Sequence, residues 1–204
     1  MEEARRVTTV VFNGWAASAR AWSLCGFKAD KIVSYLDPDP AASDVMTVAG
    51  WSLGGNRAIR FAAANPGKVR KLVLAAPIVR MMKDEGWPGM GEARLKALLA
   101  AFELFQGDGL GGMEYKVNPY QVDTHDDLAK GIAYLHDSDM REAVRALPPE
   151  MEIAVFHSAG DIIANVENSR FIARTCPWAK YTELDGREHA LPVTIPEAIT
   201  GAIS

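Results

Sequence analysis

Short runs rich in β-branched residues alternate with helical patterns along most of the chain, and this alternation constrains the fold more than any other feature. Strands are predicted at residues 7–12, 31–36, 45–49, 71–76, 151–158 and 181–184, and helices at residues 56–64 and 196–203. Strands that alternate with helices form parallel sheets covered on both faces. A chain of 204 residues is long enough to bury one substantial core. The sequence therefore predicts an α/β fold in a single domain.

The alternation is interrupted between Arg80 and Glu150. Helical patterns occur there at residues 93–105, 127–135 and 139–147, with the glycine-rich stretch QGDGLGGMEY among them. A helical insertion after a strand predicts a lid over a site at the carboxyl ends of the strands. Extra helices on the flank of the sheet are the alternative. The predicted division is a core of residues 1–79 and 151–204 with a helical lid of residues 80–150.

The stretch VAGWSLGG places Ser52 between Gly50 and Gly54, in the pattern G-x-S-x-G. In a nucleophile elbow, the serine occupies a sharp turn from strand to helix, and small neighbours are needed because side chains would collide there. The context fits, since the strand pattern VMTVA precedes the motif and the helical pattern NRAIRFAAA follows it. Ser52 is predicted to be a nucleophile rather than a serine in an ordinary glycine-rich bend.

Such an elbow also supplies half of an oxyanion hole, through the N–H of the residue after the serine, here Leu53. The second donor comes from the turn after the first strand, which reads FNGWAAS. If Gly14 lets the backbone bend back, the N–H of Trp15 is the natural second donor. A plain strand-terminating turn is the alternative reading of Asn13-Gly14.

A serine nucleophile needs a base within hydrogen-bond reach and an acid that orients the base. His189 lies in DGREHALPV, after the last predicted strand, where serine hydrolases with this architecture place the histidine. His157 lies inside the predicted strand MEIAVFHS and is expected to be a packed residue. His125 and His136 lie in the insertion and are expected to be solvated or capping residues.

Asp161 is the predicted acid, because it follows the strand MEIAVFHS in the turn SAGD. Its alternative reading is a helix N-cap or turn aspartate. Asp185 is a competitor but is close to His189 in sequence, and Asp84 is a remote third choice. Ser52, Asp161 and His189 then converge from three strand ends, where open α/β sheets place their sites.

These residues resemble the α/β-hydrolase superfamily from Val7 to the C-terminus. The resemblance implies a mostly parallel sheet with helices on both faces and a helical lid, although the usual antiparallel first hairpin is missing from the pattern. Within the superfamily, NGWAASARAW and GWSLGG resemble the pimeloyl-[acyl-carrier protein] methyl ester esterases of biotin synthesis. Those enzymes typically carry HGW in the first turn, whereas this chain has Asn13 in place of the histidine.

The resemblance implies that Ser52, Asp161 and His189 form a catalytic triad and that Trp15 and Leu53 donate to the oxyanion. It also implies that Trp51 forms part of the wall of an acyl slot. The predicted activity is that of a serine carboxylesterase acting on a methyl-capped pimeloyl chain carried by an acyl carrier protein, without a metal or organic cofactor. A general carboxylesterase or thioesterase for small substrates is the alternative.

A non-catalytic ligand-binding protein with this fold would be expected to lose the triad or the elbow glycines, and both are intact here. Composition argues against other partners, because the net charge is −4 and no run of Lys or Arg suggests nucleic acid or an anionic membrane. The first residues lack a signal-peptide pattern, and the two cysteines lie far apart, so a cytoplasmic location is expected.

An acyl carrier protein is acidic, so basic residues of the insertion are available to face it. Among them are Arg80, Lys83, Arg94, Lys96, Arg141 and Arg145. Acidic residues are interspersed among them, and exposed charges on amphipathic helices usually serve solubility. None of these six residues is predicted to be part of the site.

Overall fold

The computed structural model describes residues 7–43, 45–105 and 117–204. Six strands form one sheet: β1 (Thr8–Phe12), β2 (Lys31–Val33), β3 (Met46–Trp51), β4 (Val69–Ala75), β5 (Glu152–Ser158) and β6 (Lys180–Leu184). Their order in the sheet is β2-β1-β3-β4-β5-β6, and each pair of neighbours is parallel. The predicted α/β fold with a parallel sheet is confirmed.

Helices connect the strands and flank the sheet. They are a short 3₁₀ helix (Ala19–Trp22), α1 (Leu53–Ala64), α2 (Glu92–Phe105), α3 (His125–Asp137), α4 (Arg141–Arg145), α5 (Glu167–Thr175), α6 (Leu191–Thr194) and α7 (Pro196–Ile203). Within the described ranges, none of these helices combines the length and apolar character that crossing a bilayer requires.

Side chains alternate between the two faces of each strand, so the sheet has an apolar core on either side. On one face, Val48 of β3 and Leu72 of β4 pack with Ile59 of α1 and with residues of α4 and α5. On the other face, Trp51 and Val73 pack with the 3₁₀ helix, α6 and α7. This double burial explains why the inner strand β3 and the second half of β4 read as continuous apolar runs rather than as alternating ones.

A third apolar cluster includes Leu53, at the carboxyl end of β3, together with residues of α2 and α3 such as Leu95, Phe102 and Leu128. Helix α4 lies elsewhere, since Val144 is part of the cluster formed by the sheet and α1. The lid of residues 80–150 stays a prediction, and the stretch QGDGLGGMEY lies outside the described residues.

Strand β2 and helix α5 are among the elements that differ from the sequence-based expectation. Strand β2 ends at Val33 rather than at residue 36, because the guanidinium of Arg57 binds the carbonyls of Ser34 and Asp37 and holds the chain in a turn. Helix α5 was not predicted, because its buried side is narrow and mostly polar: Asn168, Ser169 and Ile172. With so few apolar residues, the segment reads as polar rather than as a helix packed on a core.

Candidate active site

Ser52 occupies the junction between β3 and α1 in a backbone conformation that non-glycine residues rarely adopt, with φ 58° and ψ −121°. Hydrogen bonds on both sides hold it there. Its N–H donates to the carbonyl of Ala75 at 3.0 Å, and its carbonyl accepts from the amides of Asn56 at 3.2 Å and Ile78 at 3.4 Å. Strain of this kind persists only where the surroundings over-determine it, and it concentrates at functional sites.

The glycines of the motif allow this turn because backbone passes them too closely for a side chain. A Cβ on Gly54 would lie 2.0 Å from the carbonyl oxygen of Phe12, and one on Gly50 would lie 2.4 Å from the carbonyl oxygen of Gly54. Helix α1 is therefore pressed against the ends of β1 and β3. The turn has the geometry of a nucleophile elbow.

His189 and Asp161 meet Ser52 at this edge of the sheet. His189 Nε2 lies 2.9 Å from Ser52 Oγ, and His189 Nδ1 lies 2.7 Å from Asp161 Oδ2. All three side chains are buried. An ionised carboxylate can only accept, so Nδ1 carries the ring proton and Nε2 is free to accept from the serine hydroxyl. The structure thus joins the three residues that the sequence singled out, in the order acid, imidazole, hydroxyl.

Asp161 is held by the turn that follows β5. Its Oδ1 accepts from the amides of Ile163 at 2.8 Å and Ala164 at 3.0 Å, which leaves Oδ2 for His189. Burial alone would raise the pKa of Asp161, but the charge and hydrogen bonds of His189 and His157 outweigh it, so the pKa lies well below its usual value. The carboxylate is ionised at neutral pH and can stabilise a positively charged His189.

Trp51, the residue before the serine, fixes the backbone of the histidine loop. Its indole Nε1 donates to the carbonyl of His189 at 2.8 Å, and the two rings lie 5.8 Å apart between centroids. The sequence analysis assigned Trp51 only to the wall of a slot. No signal in the sequence pointed to its bond with the loop, which forms between residues far apart along the chain.

The turn after β1 lies directly against the elbow. A Cβ on Gly14 would be 3.4 Å from Ser52 Cβ, and Ala16 has a positive φ of 53°, so the chain bends back sharply here. Among the described residues, no backbone hydrogen bond occupies the amides of Trp15 or Leu53. Both amides are available to a ligand beside Ser52, as an oxyanion hole requires.

Asn13, which stands where the resembled enzymes have histidine, stabilises this turn. Its Oδ1 accepts from the indole of Trp22 at 2.6 Å, and its Nδ2 donates to the carbonyl of Ala17 at 3.4 Å. The replacement therefore has a structural role that keeps the turn in place.

A small apolar cavity opens beside Ser52 Oγ. Its free space is about 10 Å³, which is room for roughly one water molecule. Its walls are mostly apolar and aromatic: Trp15, Trp51, Ile78, Met81, Leu98, Phe102, Tyr120, Leu135 and Ile163, with Ser52 and His189 at one end. Trp51 does line this space, as does the side chain of Trp15.

The other candidate residues lie away from Ser52. On α3, His125 is exposed and His136 is half-buried, and they contact Glu103 and Glu92 respectively. Asp84 pairs with Arg80 and Arg141, and Asp185 is exposed. His157 is buried near Asp161 and is considered below.

The two cysteines are unsuited to be nucleophiles. Cys25 and Cys176 are both buried and free, and burial raises the pKa of each thiol to about 11. Thiols with such values are protonated and inert at neutral pH. Unlike these thiols, the hydroxyl of Ser52 is in contact with a base, the imidazole of His189.

No protein-family model matches the chain. Among curated proteins, the pimeloyl-[acyl-carrier protein] methyl ester esterase of Chromobacterium violaceum is 29% identical over 160 residues, covering 70% of this chain and 62% of that protein. The protein of the same name from Nitrosospira multiformis is 25% identical over 188 residues, covering 82% and 68%. The chain thus spans somewhat less than two thirds of the Chromobacterium relative.

Solved structures of hydrolases match nearly the whole chain. An esterase from Exiguobacterium antarcticum superposes with a TM-score of 0.72 at 17% identity, covering 95% of this chain and 89% of that one. BioG from Haemophilus influenzae superposes with a TM-score of 0.62 at 15% identity, covering 97% and 95%. At such identities the likeness shows the fold.

Proposed function

Because the chain has the α/β-hydrolase fold and is similar in sequence to pimeloyl-[acyl-carrier protein] methyl ester esterases, we propose that it hydrolyses carboxylic esters through an acyl-serine intermediate. The observation that supports this most strongly is the contact chain from Asp161 through His189 to Ser52 Oγ, with distances of 2.7 and 2.9 Å. A serine in this setting has both the base and the orienting acid that its activation needs.

In the proposed mechanism, His189 Nε2 takes the proton of Ser52 as Oγ attacks the ester carbonyl carbon. The amides of Leu53 and Trp15 stabilise the oxyanion of the tetrahedral intermediate. His189 then protonates the leaving alcohol, and the acyl-serine forms. A water molecule, deprotonated by His189, attacks the acyl-serine and releases the acid, while Asp161 stabilises the positively charged imidazole in both steps.

The proposed substrate is a methyl-capped pimeloyl chain on an acyl carrier protein, because the curated relatives bear that name. Hydrolysis of the methyl ester would release methanol and leave the chain attached to its carrier. The cavity beside Ser52 is smaller than such a chain. Its wall residues on α2, Leu98 and Phe102, must therefore move before a long acyl group can reach the serine.

The carrier would approach from outside this wall. Of the six basic residues named in the sequence analysis, four already bind acidic or carbonyl groups of this chain: Arg80 and Arg141 pair with Asp84 and Asp139, Arg145 with Glu142, and Arg94 with the carbonyl of Ile162. Lys83 and Lys96 are exposed. We assign none of them to carrier recognition. We also propose a cytoplasmic location, where both cysteines would stay reduced.

The curated relatives favour the pimeloyl ester, but the small cavity also fits a second candidate, an esterase or thioesterase for short acyl groups. An acetyl group needs far less space than a pimeloyl chain, so its hydrolysis requires less movement of the walls. The two candidates share the serine mechanism and differ only in the acyl group and the bond that is cleaved.

The serine mechanism is tested with Ser52→Ala. Hydrolysis of p-nitrophenyl acetate should fall by about 10⁴-fold or more, and a fluorophosphonate probe should label the wild type only. Ser158→Ala is a matched control, because that serine is also buried and its hydroxyl has no hydrogen-bond partner in the described parts of the chain. A Ser52→Ala protein that keeps wild-type turnover would refute the proposal.

The substrate is tested with methyl pimeloyl-acyl carrier protein and mass spectrometry of the carrier. Loss of the methyl group alone supports the biotin-pathway substrate, whereas release of free carrier thiol identifies a thioesterase. Fast turnover of p-nitrophenyl acetate without either change would favour the short-chain esterase.

A further inference from the structure

His157 is a fully buried histidine at the end of β5 that the proposed mechanism does not use. Both of its ring nitrogens have partners. Nδ1 lies 2.6 Å from Ser169 Oγ on α5, and Nε2 lies 2.9 Å from the carbonyl oxygen of Ala164. Nε2 also lies 3.5 Å from Asp161 Oδ2, the oxygen that binds His189.

The partners determine which ring nitrogen carries the proton. The carbonyl of Ala164 can only accept, so Nε2 must carry a hydrogen. The hydroxyl of Ser169 can donate, so it satisfies Nδ1 while the ring stays neutral. The single Nε2–H of His157 is donated to the carbonyl of Ala164 at 2.9 Å and is shared with the more distant Asp161 Oδ2 at 3.5 Å. His157 therefore presents an N–H rather than a lone pair to Asp161.

With this N–H, four donors surround the carboxylate of Asp161. Two backbone amides bind Oδ1, while His189 binds Oδ2 and His157 approaches the same oxygen from another side. An oxygen shared between two donors attracts each one less strongly than an oxygen with one donor does. His157 thus helps to orient Asp161 and weakens the attraction of its carboxylate for His189.

We propose that His157 is a positioning residue, whose Nε2–H holds Oδ2 of Asp161 in line with His189 and reduces the pull of the carboxylate on the His189 imidazolium. This rests on the proposed function as a serine hydrolase. It adds a second imidazole beside Asp161, so that the carboxylate contacts both His189, the proposed base, and His157, the positioning residue.

Other charged groups near His157 are few among the described residues. Glu183 of β6 is its neighbour in the sheet, and the carboxylate of Glu183 pairs with Arg170 of α5 at 2.7 Å. His189 reaches the pair from the loop before α6. Glu183 is paired with its own arginine, whereas Asp161 Oδ2 lies 3.5 Å from His157 Nε2.

The test compares two amide substitutions that keep opposite halves of the ring. His157→Gln places an amide nitrogen near the position of Nε2, so a donor to Asp161 remains. His157→Asn places its amide near the position of Nδ1, so it can bind Ser169 but cannot reach Asp161. Both remove the ring and insert a polar amide, so a purely structural role predicts similar losses of activity and melting temperature for the two.

Under the proposal, His157→Asn frees Asp161 Oδ2 and stabilises the protonated His189. The acid limb of the kcat/KM profile should then move up by about half to one pH unit, with kcat reduced several-fold. His157→Gln should keep the wild-type limb. If both variants fold and the acid limb of kcat/KM against pH stays at its wild-type position in both, the proposal is overturned.

Nuclear magnetic resonance of the ¹⁵N-labelled wild type gives a second reading that needs no variant to fold and no ester to be cleaved. The proposal requires His157 to carry its proton on Nε2, and the opposite tautomer would overturn it. If instead the wild type hydrolyses no ester and is not labelled at Ser52, the hydrolase function fails, while the tautomer still reports whether His157 has a proton on Nε2.

Discussion

The elbow around Ser52 and the cavity walls beside it are adjoining regions that are held by different forces. At the elbow, backbone atoms pass so closely that a Cβ on Gly54 would lie 2.0 Å from a carbonyl oxygen. The walls consist of apolar side chains such as Met81, Leu98 and Phe102, which need only be apolar and of suitable size. The elbow therefore permits few sequences, whereas the walls permit many.

The elbow therefore sets the geometry of the proposed reaction, and the walls set which acyl groups fit beside it. The positions of Ser52, His189 and Asp161 depend on backbone turns that cannot shift by an ångström without collision or a lost hydrogen bond. The space for the acyl group depends on side-chain volume, which single substitutions change readily. Four substitutions test this difference between the rigid elbow and the adaptable walls, and the first is expected to cause the greatest loss.

Asp161→Asn should lower kcat for p-nitrophenyl acetate by about 10⁴-fold. The new amide would donate to His189 Nδ1, so the ring proton would move to Nε2 and face the serine instead of accepting from it. Steady-state kinetics measures the loss. Asp185→Asn, in an exposed side chain of the histidine loop, should keep wild-type kinetics, and equal losses in both variants would contradict the assignment of the acid.

Gly54→Ala should prevent stable folding, because the new Cβ meets the backbone of β1 and neither element can retreat without breaking the sheet. We expect a loss of several kcal/mol in the free energy of unfolding. Urea denaturation followed by circular dichroism measures it. Gly201→Ala, on α7 with open space around its Cβ, should be neutral or stabilising by about 0.5 kcal/mol. A fully stable Gly54→Ala protein would show that the elbow is not rigid.

Phe102→Ala should change which esters are hydrolysed without removing activity. The ring of Phe102 packs 4.2 Å from that of Trp15 between centroids and lines the cavity, so its loss lengthens the space beside Ser52. The ratio of kcat/KM for p-nitrophenyl hexanoate over acetate should rise about tenfold.

Leu95→Ala is the control for this change, because Leu95 is buried on the same helix but does not line the cavity. It should be destabilised to a similar degree, by about 2 to 5 kcal/mol, and should keep the wild-type preference. A preference that moves equally in both variants would mean that loosening of α2, rather than cavity volume, selects the acyl group.

Trp51→Phe should have the smallest effect, a fall in kcat of about three- to tenfold. The indole bond to the His189 carbonyl is lost while most of the ring volume stays, so the histidine loop is held less firmly. Trp87→Phe removes a similar bond, from an indole to the carbonyl of Arg80, at a buried site away from Ser52. Melting temperatures should fall alike, and only the first variant should lose turnover.

The parallel sheet, the strand-to-helix context of Ser52 and the order of Ser52, Asp161 and His189 were predictable from sequence. The reason is physical, since alternating strands and helices allow few topologies, and carboxyl ends of parallel strands meet at one edge. The glycines flanking Ser52 added a steric requirement that few other sites impose.

Other features left little trace in the sequence. Helix α5 buries a narrow polar side. The bond of Trp51 to the His189 carbonyl and the approach of His157 to Asp161 depend on segments brought together by folding. A tryptophan and a histidine in apolar runs are read as core residues, because nothing in the run states what their nitrogens bind. The lid and its bounds at residues 80–150 stay a prediction.

Because Ser52 has a positive φ, the residue that the proposed reaction needs is one that lowers the stability of the fold. Glycine adopts such angles freely, so Ser52→Gly would relax the turn and yield a tougher, inert protein. The strained turn at Ser52 therefore makes the fold less stable than a glycine would, and the hydroxyl that it carries is the group on which the proposed hydrolysis depends.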